Sequence, residues 1–269
     1  MLVLNVKIAV CGKGGVGKTM VSGTLARLLG RQGTKVLAVD ADPNNTLYLS
    51  LGVPFEVAEK IVPLTENEEL VQERTGMEVG RAFGGMFKLN PRVDDLAAKF
   101  GVPAPDNVTL LVAGTVQIGG SGCMCPAGAL LKALIRHLIV GSGEAFVMDM
   151  EAGIENLGRG TTRGMDALII VVEPGYGAIT TVGRIQKLAQ DIGVDRVLAV
   201  ANKVTGEKDR KVVEAALVER GVPLLGVIPL DEGLHEAGLL GKAPLDHVPK
   251  GPAMEAIRGI LRELRSHLS

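Results

Sequence analysis

The spacing G-x-x-x-x-G-K-[ST], typical of a phosphate-binding loop, occurs in residues 12 to 19, which read GKGGVGKT. Its glycines let the backbone curl so that N–H groups converge on phosphate oxygens, and the helix that follows adds the positive end of its dipole. Lys18 supplies a charge for the β- and γ-phosphates, and the Thr19 hydroxyl can bind Mg²⁺. We therefore predict a nucleotide site formed by Gly12, Lys13, Gly14, Gly15, Val16, Gly17, Lys18, Thr19 and Met20.

Two acidic segments supply the other side chains that nucleotide hydrolysis needs. The apolar run FVMDMEAG predicts a strand whose Asp149 lies at the carboxyl edge of a sheet, where it would hold Mg²⁺ through water. The run AVDADP ends another strand with Asp40 and Asp42, so a carboxylate can reach the γ-phosphate region. Aspartate is also common at strand ends for turn and capping reasons. The neighbouring phosphate loop favours the catalytic interpretation of Asp149 and Asp42.

Cys123 and Cys125 stand one residue apart in GGSGCMCPAG, in a chain with only three cysteines. Pro126 predicts the first residue of a helix, so Cys125 lies at or near the N-cap, where the helix dipole favours thiolate. In an extended segment both sulfurs point the same way and suit a thiophilic metal, although two ligands are too few for tetrahedral zinc. Two small polarizable residues packed in a turn are the alternative, and a disulfide is disfavoured in a reducing compartment. Cys11, which ends an apolar run, is expected to be a small core residue.

Short apolar runs that alternate with helical patterns must position these side chains. Their nearly continuous apolar character predicts strands that are buried on both faces, at 7–11, 35–40, 108–113, 145–149, 167–173, 196–202 and 224–229. Helices are expected between them, including 19–32, 126–140, 180–191 and 207–220. The fold class is therefore α/β, a doubly wound and mostly parallel sheet with helices on both faces. We expect one domain over 1–269, with a less regular excursion at about 52–107.

Composition excludes several other classes of protein. The formal net charge is −1, so no basic field favours nucleic acid or an anionic membrane. Aromatic residues make up only 3%, which argues against stacking platforms for single-stranded nucleic acid. The apolar N-terminus is short and lacks a cleavage site, so it indicates a first strand, and no apolar run is long enough to span a membrane. A soluble, cytoplasmic protein without nucleic-acid or membrane partners is expected.

The early lysine of the loop, Lys13, carries a resemblance to a known family. The segment KGGVGKT resembles the deviant Walker A motif of the MinD/ParA class of dimeric ATPases, which includes the nitrogenase iron protein. DADP (40–43) resembles the switch I segment of that class, and DMEAG (149–153) resembles its Walker B and switch II segments. NKV (202–204) and IPLDEGL (228–234) resemble its base-recognition segments. The resemblance extends over nearly the whole chain.

The MinD/ParA resemblance implies a MinD-like P-loop fold, ATP or ADP with Mg²⁺, and a homodimer that encloses two nucleotides. Lys13 would reach the partner's nucleotide, and Asp42 would position the attacking water. Asn202 would read adenine. The implied catalytic residues are Lys13, Lys18, Asp42 and Asp149, and the implied base-side residues are Asn202, Lys203 and Pro229. The two-fold axis of such a dimer would bring together four thiolates from two cysteine pairs.

A narrower resemblance is to the CooC-type ATPases that mature nickel enzymes. It rests on the segments GSGCMCPAGALLKALI, MDMEAGIENLGRGT (148–161) and KLNPRVDD (88–95). These proteins assist nickel insertion into carbon monoxide dehydrogenase, and the related AcsF type serves acetyl-CoA synthase. The resemblance implies that Cys123 and Cys125 bind Ni²⁺ or Zn²⁺ at the dimer interface and that the nucleotide state alters this binding. The expected partners are a second copy of the chain and one of these nickel enzymes.

Two rival functions remain open. The nitrogenase iron protein also gathers cysteines from two subunits, around an iron–sulfur cluster, so the chain could be an electron-donating ATPase. A spatial organiser that binds membranes or DNA is the second rival, because residues 253–268 form an amphipathic helical pattern. That helix has no Trp or Phe on its apolar side, so a helix that packs on the sheet is favoured. Its apolar side comprises Ile257, Ile260, Leu261, Leu264 and Leu268.

Overall fold

The computed structural model describes residues 6–77, 88–115, 126–141, 145–151 and 164–268. Its strands are β1 (Lys7–Cys11), β2 (Val36–Ala41), β3 (Val102–Ala104), β4 (Val108–Val112), β5 (Ala145–Met150), β6 (Ala167–Val172), β7 (Val197–Val204) and β8 (Leu224–Pro229). Within these ranges they form one eight-stranded sheet in the order β3-β4-β2-β5-β1-β6-β7-β8. Every neighbouring pair is parallel except β3 and β4. The predicted doubly wound, mostly parallel sheet is confirmed.

Helices cover both faces of this sheet. They are α1 (Lys18–Arg31), α2 (Leu47–Leu51), α3 (Phe55–Ala58), α4 (Glu68–Thr75), α5 (Leu96–Phe100), α6 (Pro126–Gly141), α7 (Tyr176–Ile192), α8 (Glu207–Glu219), α9 (Glu232–Leu239), α10 (Pro244–His247) and α11 (Pro252–Leu268). One hydrophobic cluster lies between the sheet and helices α1, α2 and α11. A second cluster lies on the opposite face, beneath helices α4 to α8.

Strand β1 shows why its sequence is apolar at successive positions. Ile8 and Val10 belong to the cluster under α1, whereas Ala9 and Cys11 belong to the cluster on the other face. Both sets are buried, so alternation with polar residues would leave polar groups in a core. Because β1 has β5 on one side and β6 on the other, the chain changes its winding direction at β1. Ligands bind at the carboxyl end of such a switch point in open α/β sheets.

The sequence prediction missed the antiparallel edge strand β3 and the start of α7. Strand β3 has three residues and contains Pro103, so it gives no apolar run. It joins β4 through a tight turn in which Asp106 and Asn107 have φ values of 61° and 60°, a conformation that Asp and Asn tolerate. Helix α7 begins at Tyr176, four residues before the expected start, because Gly175 and Gly177 hide its first turn from a pattern search.

Ion pairs connect α1 to the turn before β4 and to α10. Arg27 is buried, and its Nε donates to Asp106 Oδ2 over 2.8 Å. Its two terminal nitrogens donate to Asp246, over 2.5 Å to Oδ2 and 2.8 Å to Oδ1. A bidentate arginine–carboxylate pair fixes direction as well as distance. The helix that follows the phosphate loop is thereby held to two other elements.

Helix α1 approaches the β3–β4 turn closely at Gly30, and a substitution there tests this contact. A Cβ at Gly30 would overlap the backbone carbonyl of Asp106. We expect Gly30→Ala to destabilise the protein by about 2 kcal/mol, because one of the two elements must move. At Gly183 in α7 an added Cβ would lie 3.6 Å from Arg220 Nε, an ordinary contact. Gly183→Ala is therefore the control and should stabilise by up to about 1 kcal/mol. Urea unfolding measures both, and equal stabilisation by both variants would contradict the close approach.

Helix α11 packs on the sheet, as its sequence predicts. Ile257, Ile260, Leu261 and Leu264 are buried in the cluster that also contains Ile228 of β8. The apolar side of α11 is therefore covered by the protein. None of the helices in the described ranges combines the length and the apolar composition that a bilayer span requires.

Candidate nucleotide-binding site

The loop between β1 and α1 has no room for side chains at two of its glycines. Gly12 has φ 152°, and a Cβ there would overlap the carbonyl oxygen of Val171. Gly17 has φ 92°, and a Cβ there would overlap the amide of Asn202. A non-glycine residue is strained at such φ values whatever the space around it. The loop is thus packed directly against the carboxyl ends of β6 and β7.

Lys18 and Asp42 form a buried ion pair. Lys18 Nζ lies 3.3 Å from Asp42 Oδ2, and the two side chains are 7% and 5% exposed. Asp42 Oδ1 also accepts hydrogen bonds from the backbone N–H and the side-chain amide of Asn44, over 3.0 and 2.9 Å. Burial raises the pKa of Asp42, but the N–H of Asn44 and the charge of Lys18 outweigh it, so the net pKa is lowered. Asp42 is therefore a carboxylate at neutral pH.

Thr19 and Asp149 lie beside this pair. The Thr19 hydroxyl donates to Asp149 Oδ2 over 2.6 Å, and Asp149 is fully buried. Burial raises the pKa of Asp149 to about 6, although the Thr19 hydroxyl and the Lys18 charge favour the carboxylate. Asp149 Oδ1 accepts no hydrogen bond from the described residues. A buried carboxylate oxygen without a partner, beside a hydroxyl, fits Mg²⁺, which prefers hard oxygen ligands.

Asp40 is a buried acid for which the sequence suggested no separate role. It lies opposite Asp149 in the β2–β5 register. Its Oδ2 accepts the N–H of Leu47 over 2.9 Å, and its Oδ1 accepts the N–H of Asp42 over 3.1 Å. Burial raises the pKa of Asp40 to about 7, against the opposing effect of the Leu47 hydrogen bond. Asp40 therefore fixes the backbone of the segment that carries Asp42.

The predicted base-side residues contact the phosphate loop. Asn202 is buried, and its side-chain amide donates to the carbonyl oxygen of Val16 over 2.8 Å. Lys203 Nζ donates to the carbonyl oxygen of Gly15 over 2.5 Å. Pro229 ends β8, and it pairs with Val204 next to Lys203. All three lie at the carboxyl edge of the sheet, and their part in base recognition stays a prediction.

A cavity of about 400 Å³ opens at the phosphate loop. Seven predicted site residues line it, namely Gly14, Gly15, Gly17, Lys18, Thr19, Met20 and Asp42. Glu151 and Leu234, which belong to the DMEAG and IPLDEGL segments, also line it. Sequence reasoning missed the rest of its wall, which is formed by Asn44, Thr46, Leu49, Ser50, Ala237, Gly238, Gly241, Lys242 and Pro244. The sequence signal for these missed residues was their position alone, because they follow the AVDADP and IPLDEGL segments along the chain. The cavity is polar at the loop and largely apolar toward α9.

The remaining candidates are Lys13 and the cysteines. Lys13 is exposed, and its Nζ lies 3.3 Å from the point where a side chain on Gly177 would begin. Cys123 and Cys125 lie outside the described residues. In the parts of the chain that are described, no cluster of three or more His, Cys, Asp or Glu side chains could hold a metal ion. Cys11 is buried, and burial raises the pKa of its thiol, so it is the core residue that the sequence predicted.

Sequence comparison relates the chain to nucleotide-binding proteins. The sequence model of the CobQ/CobB/MinD/ParA nucleotide binding domain matches residues 7–245. The carbon monoxide dehydrogenase accessory protein CooC of Rhodospirillum rubrum is 41% identical over 245 residues, which are 90% of this chain and 90% of that protein. An uncharacterized ATP-binding protein of Methanocaldococcus jannaschii is 45% identical over 236 residues, with 88% and 90% of the two chains covered.

Solved structures confirm the predicted MinD-like fold. The cell division ATPase MinD of Pyrococcus furiosus superposes with a TM-score of 0.67 at 24% identity, over 98% of this chain and 99% of that chain. MinD of Pyrococcus horikoshii OT3, solved in complex with Mg-ADP, has a TM-score of 0.65 at 24% identity over 96% of each chain. At these identities the likeness shows the fold alone.

Proposed function

Because the chain belongs to the CobQ/CobB/MinD/ParA nucleotide-binding family, we propose that it is an ATP-dependent maturation factor for a nickel enzyme. It would bind Ni²⁺ or Zn²⁺ through Cys123 and Cys125 at a homodimer interface. ATP binding and hydrolysis would be coupled to nickel insertion into carbon monoxide dehydrogenase or acetyl-CoA synthase. The observation that carries this proposal is the 41% identity, over 90% of both chains, to a carbon monoxide dehydrogenase accessory protein.

The residues around the cavity support the hydrolytic part of the proposal. Lys18 would exchange Asp42 for the β- and γ-phosphates when a nucleotide enters, because both anions need the same ammonium group. Asp42 would then be released to orient the attacking water. The Thr19 hydroxyl and the Asp149 carboxylate would hold Mg²⁺, which neutralises charge on the phosphates when it is bound. The apolar side of the cavity, with Leu49 and Leu234, suits a nucleoside.

The exposed position of Lys13 supports a role across a dimer interface. Lys18 faces the cavity that would hold the chain's own nucleotide, whereas Lys13 lies near Gly177 on the surface. We expect Lys13→Ala to abolish ATP-driven dimerisation and to change ADP affinity less than about two-fold. Sedimentation velocity with and without ATP measures the dimer, and Lys35→Ala is a control with another exposed lysine. ATP-driven dimers of the Lys13 variant would contradict the cross-interface role.

The cysteine pair predicts a metal site that hydrolysis does not require. Cys123→Ser and Cys125→Ser should each remove bound Ni²⁺ or Zn²⁺, because the hydroxyl of serine is a poor ligand for a thiophilic metal. ATP hydrolysis should persist, since neither residue belongs to the phosphate site. Cys11→Ala is the matched control. This variant should keep the Ni²⁺ or Zn²⁺ bound by the cysteine pair, because Cys11 is buried in the core. Inductively coupled plasma mass spectrometry measures the metal, and full metal content in both serine variants would rule out this site.

Activation of a client enzyme tests the proposal as a whole. Nickel-free carbon monoxide dehydrogenase and nickel-free acetyl-CoA synthase are each incubated with Ni²⁺, ATP and the protein. We expect faster activation of one client than with Ni²⁺ alone, and no acceleration by Lys18→Ala or Cys125→Ser. Equal activation rates with and without the protein, for both clients, would contradict the proposal.

A spatial organiser of the MinD type is a second candidate, favoured by the solved structures that share this fold. The covered apolar side of α11 argues against a membrane-surface role for that helix. Cosedimentation with anionic vesicles in the presence of ATP separates the two candidates. Vesicle binding that depends on ATP would favour the organiser.

A further inference from the structure

Lys203 has an unusual backbone conformation at the end of β7. Its φ is 58°, in the left-handed region that costs a non-glycine residue about 1–2 kcal/mol. The register between β7 and β8 also shifts between Ala201 and Val204, so an irregularity interrupts the ladder at this point. Irregularities of this kind turn a side chain in a new direction. Strain of this kind clusters at functional sites.

The Lys203 side chain contacts the phosphate loop and one carboxylate. Its Nζ donates to the carbonyl oxygen of Gly15 over 2.5 Å and lies 3.2 Å from Glu173 Oε2. The preceding residue, Asn202, donates to the next loop carbonyl, that of Val16, over 2.8 Å. Two successive carbonyl groups of the loop are thus held by two successive side chains of β7.

These two contacts fix the orientation of two peptide planes. In a trans peptide the C=O and N–H groups point in opposite directions. Holding the carbonyls of Gly15 and Val16 toward β7 therefore turns the N–H groups of Val16 and Gly17 away from β7. Gly15 and Gly17 line the cavity, so the peptide planes that the contacts orient belong to the loop that would receive phosphate.

Glu173 belongs to none of the motifs that the sequence revealed. It directly follows β6, the strand beside β7, and thus lies at the same edge of the sheet as Lys203. We propose that Glu173 is a positioning residue, which holds the Lys203 ammonium group over the carbonyl of Gly15 and so fixes the phosphate loop for nucleotide binding. This inference rests on the nucleotide-binding role proposed above.

The solvent exposure of Lys203 and Glu173 limits how much the loss of the Glu173 charge can weaken nucleotide binding. The side chains of Lys203 and Glu173 are 43% and 31% exposed, so water screens their attraction. Glu173→Gln keeps the shape and removes the charge. We expect it to raise the Kd for Mg-ADP about three-fold to five-fold. The KM for ATP should rise by the same factor with kcat nearly constant, because a misaligned loop weakens ground-state and transition-state binding equally.

A double-mutant cycle separates this role from a general structural one. In a Lys203→Met background, Glu173→Gln should have no further effect on the Kd for Mg-ADP, because its partner is absent. Glu173→Asp keeps the charge on a shorter side chain, so its Kd for Mg-ADP should lie between the Kd of the wild-type protein and that of Glu173→Gln. Glu207→Gln is the control, since it removes one carboxylate from an exposed pair with Lys211 on α8. The Kd of the Glu207→Gln variant for Mg-ADP should equal that of the wild-type protein.

Isothermal titration calorimetry of the full chain gives these Kd values, with the wild-type protein measured first. An unchanged Kd for Glu173→Gln, or an equal loss in the Lys203→Met background, would overturn the positioning role and leave the proposed function intact. A wild-type protein that binds neither Mg-ADP nor Mg-ATP would overturn both. A loss that disappears in the Lys203→Met background would establish the role.

Discussion

Asp42→Asn is expected to lower kcat for ATP hydrolysis by about 100-fold or more while it tightens the binding of ADP roughly five-fold to ten-fold. Hydrolysis slows while ADP binds more tightly because Asp42 would interact with Lys18 before the nucleotide binds and with the attacking water afterwards. In the structure Asp42 is the counterion of Lys18, at 3.3 Å, and a phosphate group that binds Lys18 would displace it. Asparagine removes that competition. It also removes the charge that would orient the attacking water.

Single-turnover kinetics and calorimetry measure the two effects on the same preparation. Asp94→Asn is a suitable control, because Asp94 is an exposed partner of Arg92 and does not line the cavity at the loop. It should leave both kcat and the Kd for ADP unchanged. Weaker ADP binding by Asp42→Asn would show that the Lys18–Asp42 pair does not compete with phosphate. An unchanged kcat would remove Asp42 from catalysis.

Asp149→Asn should abolish Mg²⁺-dependent hydrolysis, lowering kcat by about 100-fold or more, and yet stabilise the nucleotide-free protein. Asparagine keeps an acceptor for the Thr19 hydroxyl but cannot neutralise a cation. Stability should rise because burial raises the pKa of Asp149 to about 6, which means that the fold disfavours its charge. At neutral pH the gain in the free energy of unfolding is on the order of 2 kcal/mol.

The pH dependence of unfolding gives the sign of this effect independently. The pKa values of Asp149 and Asp40 are raised to about 6 and about 7 in the folded state. Between about pH 4 and pH 7 these two carboxyl groups therefore hold more protons in the folded protein than in the unfolded chain, and their contribution to stability falls as pH rises. Asp149→Asn should lose part of that slope, and its advantage over the wild-type protein should vanish near pH 4.

Thermal or urea unfolding without nucleotide, at several pH values, measures the difference. The groups that face Asp149 include Lys18 and Asp42, and both are the same in the two proteins. An Asp149→Asn variant that is less stable than the wild-type protein at pH 7.5 would show that the ionised carboxylate is favoured in the fold. Full hydrolysis by that variant would contradict the Mg²⁺ assignment. Greater stability with lost activity would illustrate a common cost of catalytic sites.

The parts of the site that the sequence predicted are those with fixed spacing. Gly12, Gly17 and Lys18 could be placed because a phosphate loop demands these residue types at these positions, and the structure shows what surrounds each of them. Asp149 could be placed because an apolar strand brings it to the carboxyl edge of the sheet. In each case one local pattern determines both the backbone and the chemistry.

The parts that the sequence did not reveal depend on contacts between distant segments. Beyond Leu234, the α9 wall of the cavity is made of Ala237 and Gly238, which are common small residues without a required spacing. Glu173 acquires its partner only when β6 and β7 lie side by side. Asp40 is the last residue of a predicted strand, and its raised pKa arises mainly from a burial that depends on packing between distant segments.

Anaerobic metal and sulfide analysis of the purified protein, with a visible spectrum, tests the central claim most directly. It should be repeated with ADP and with ATP after addition of Ni²⁺. The proposed function predicts about one nickel or zinc ion per two chains, no sulfide, and a colourless protein when zinc is bound. A brown protein with roughly four iron and four sulfide per dimer would contradict it and indicate an electron-donating ATPase. Absence of metal in every nucleotide state would also contradict it, because the cysteine pair would then have no part in the function.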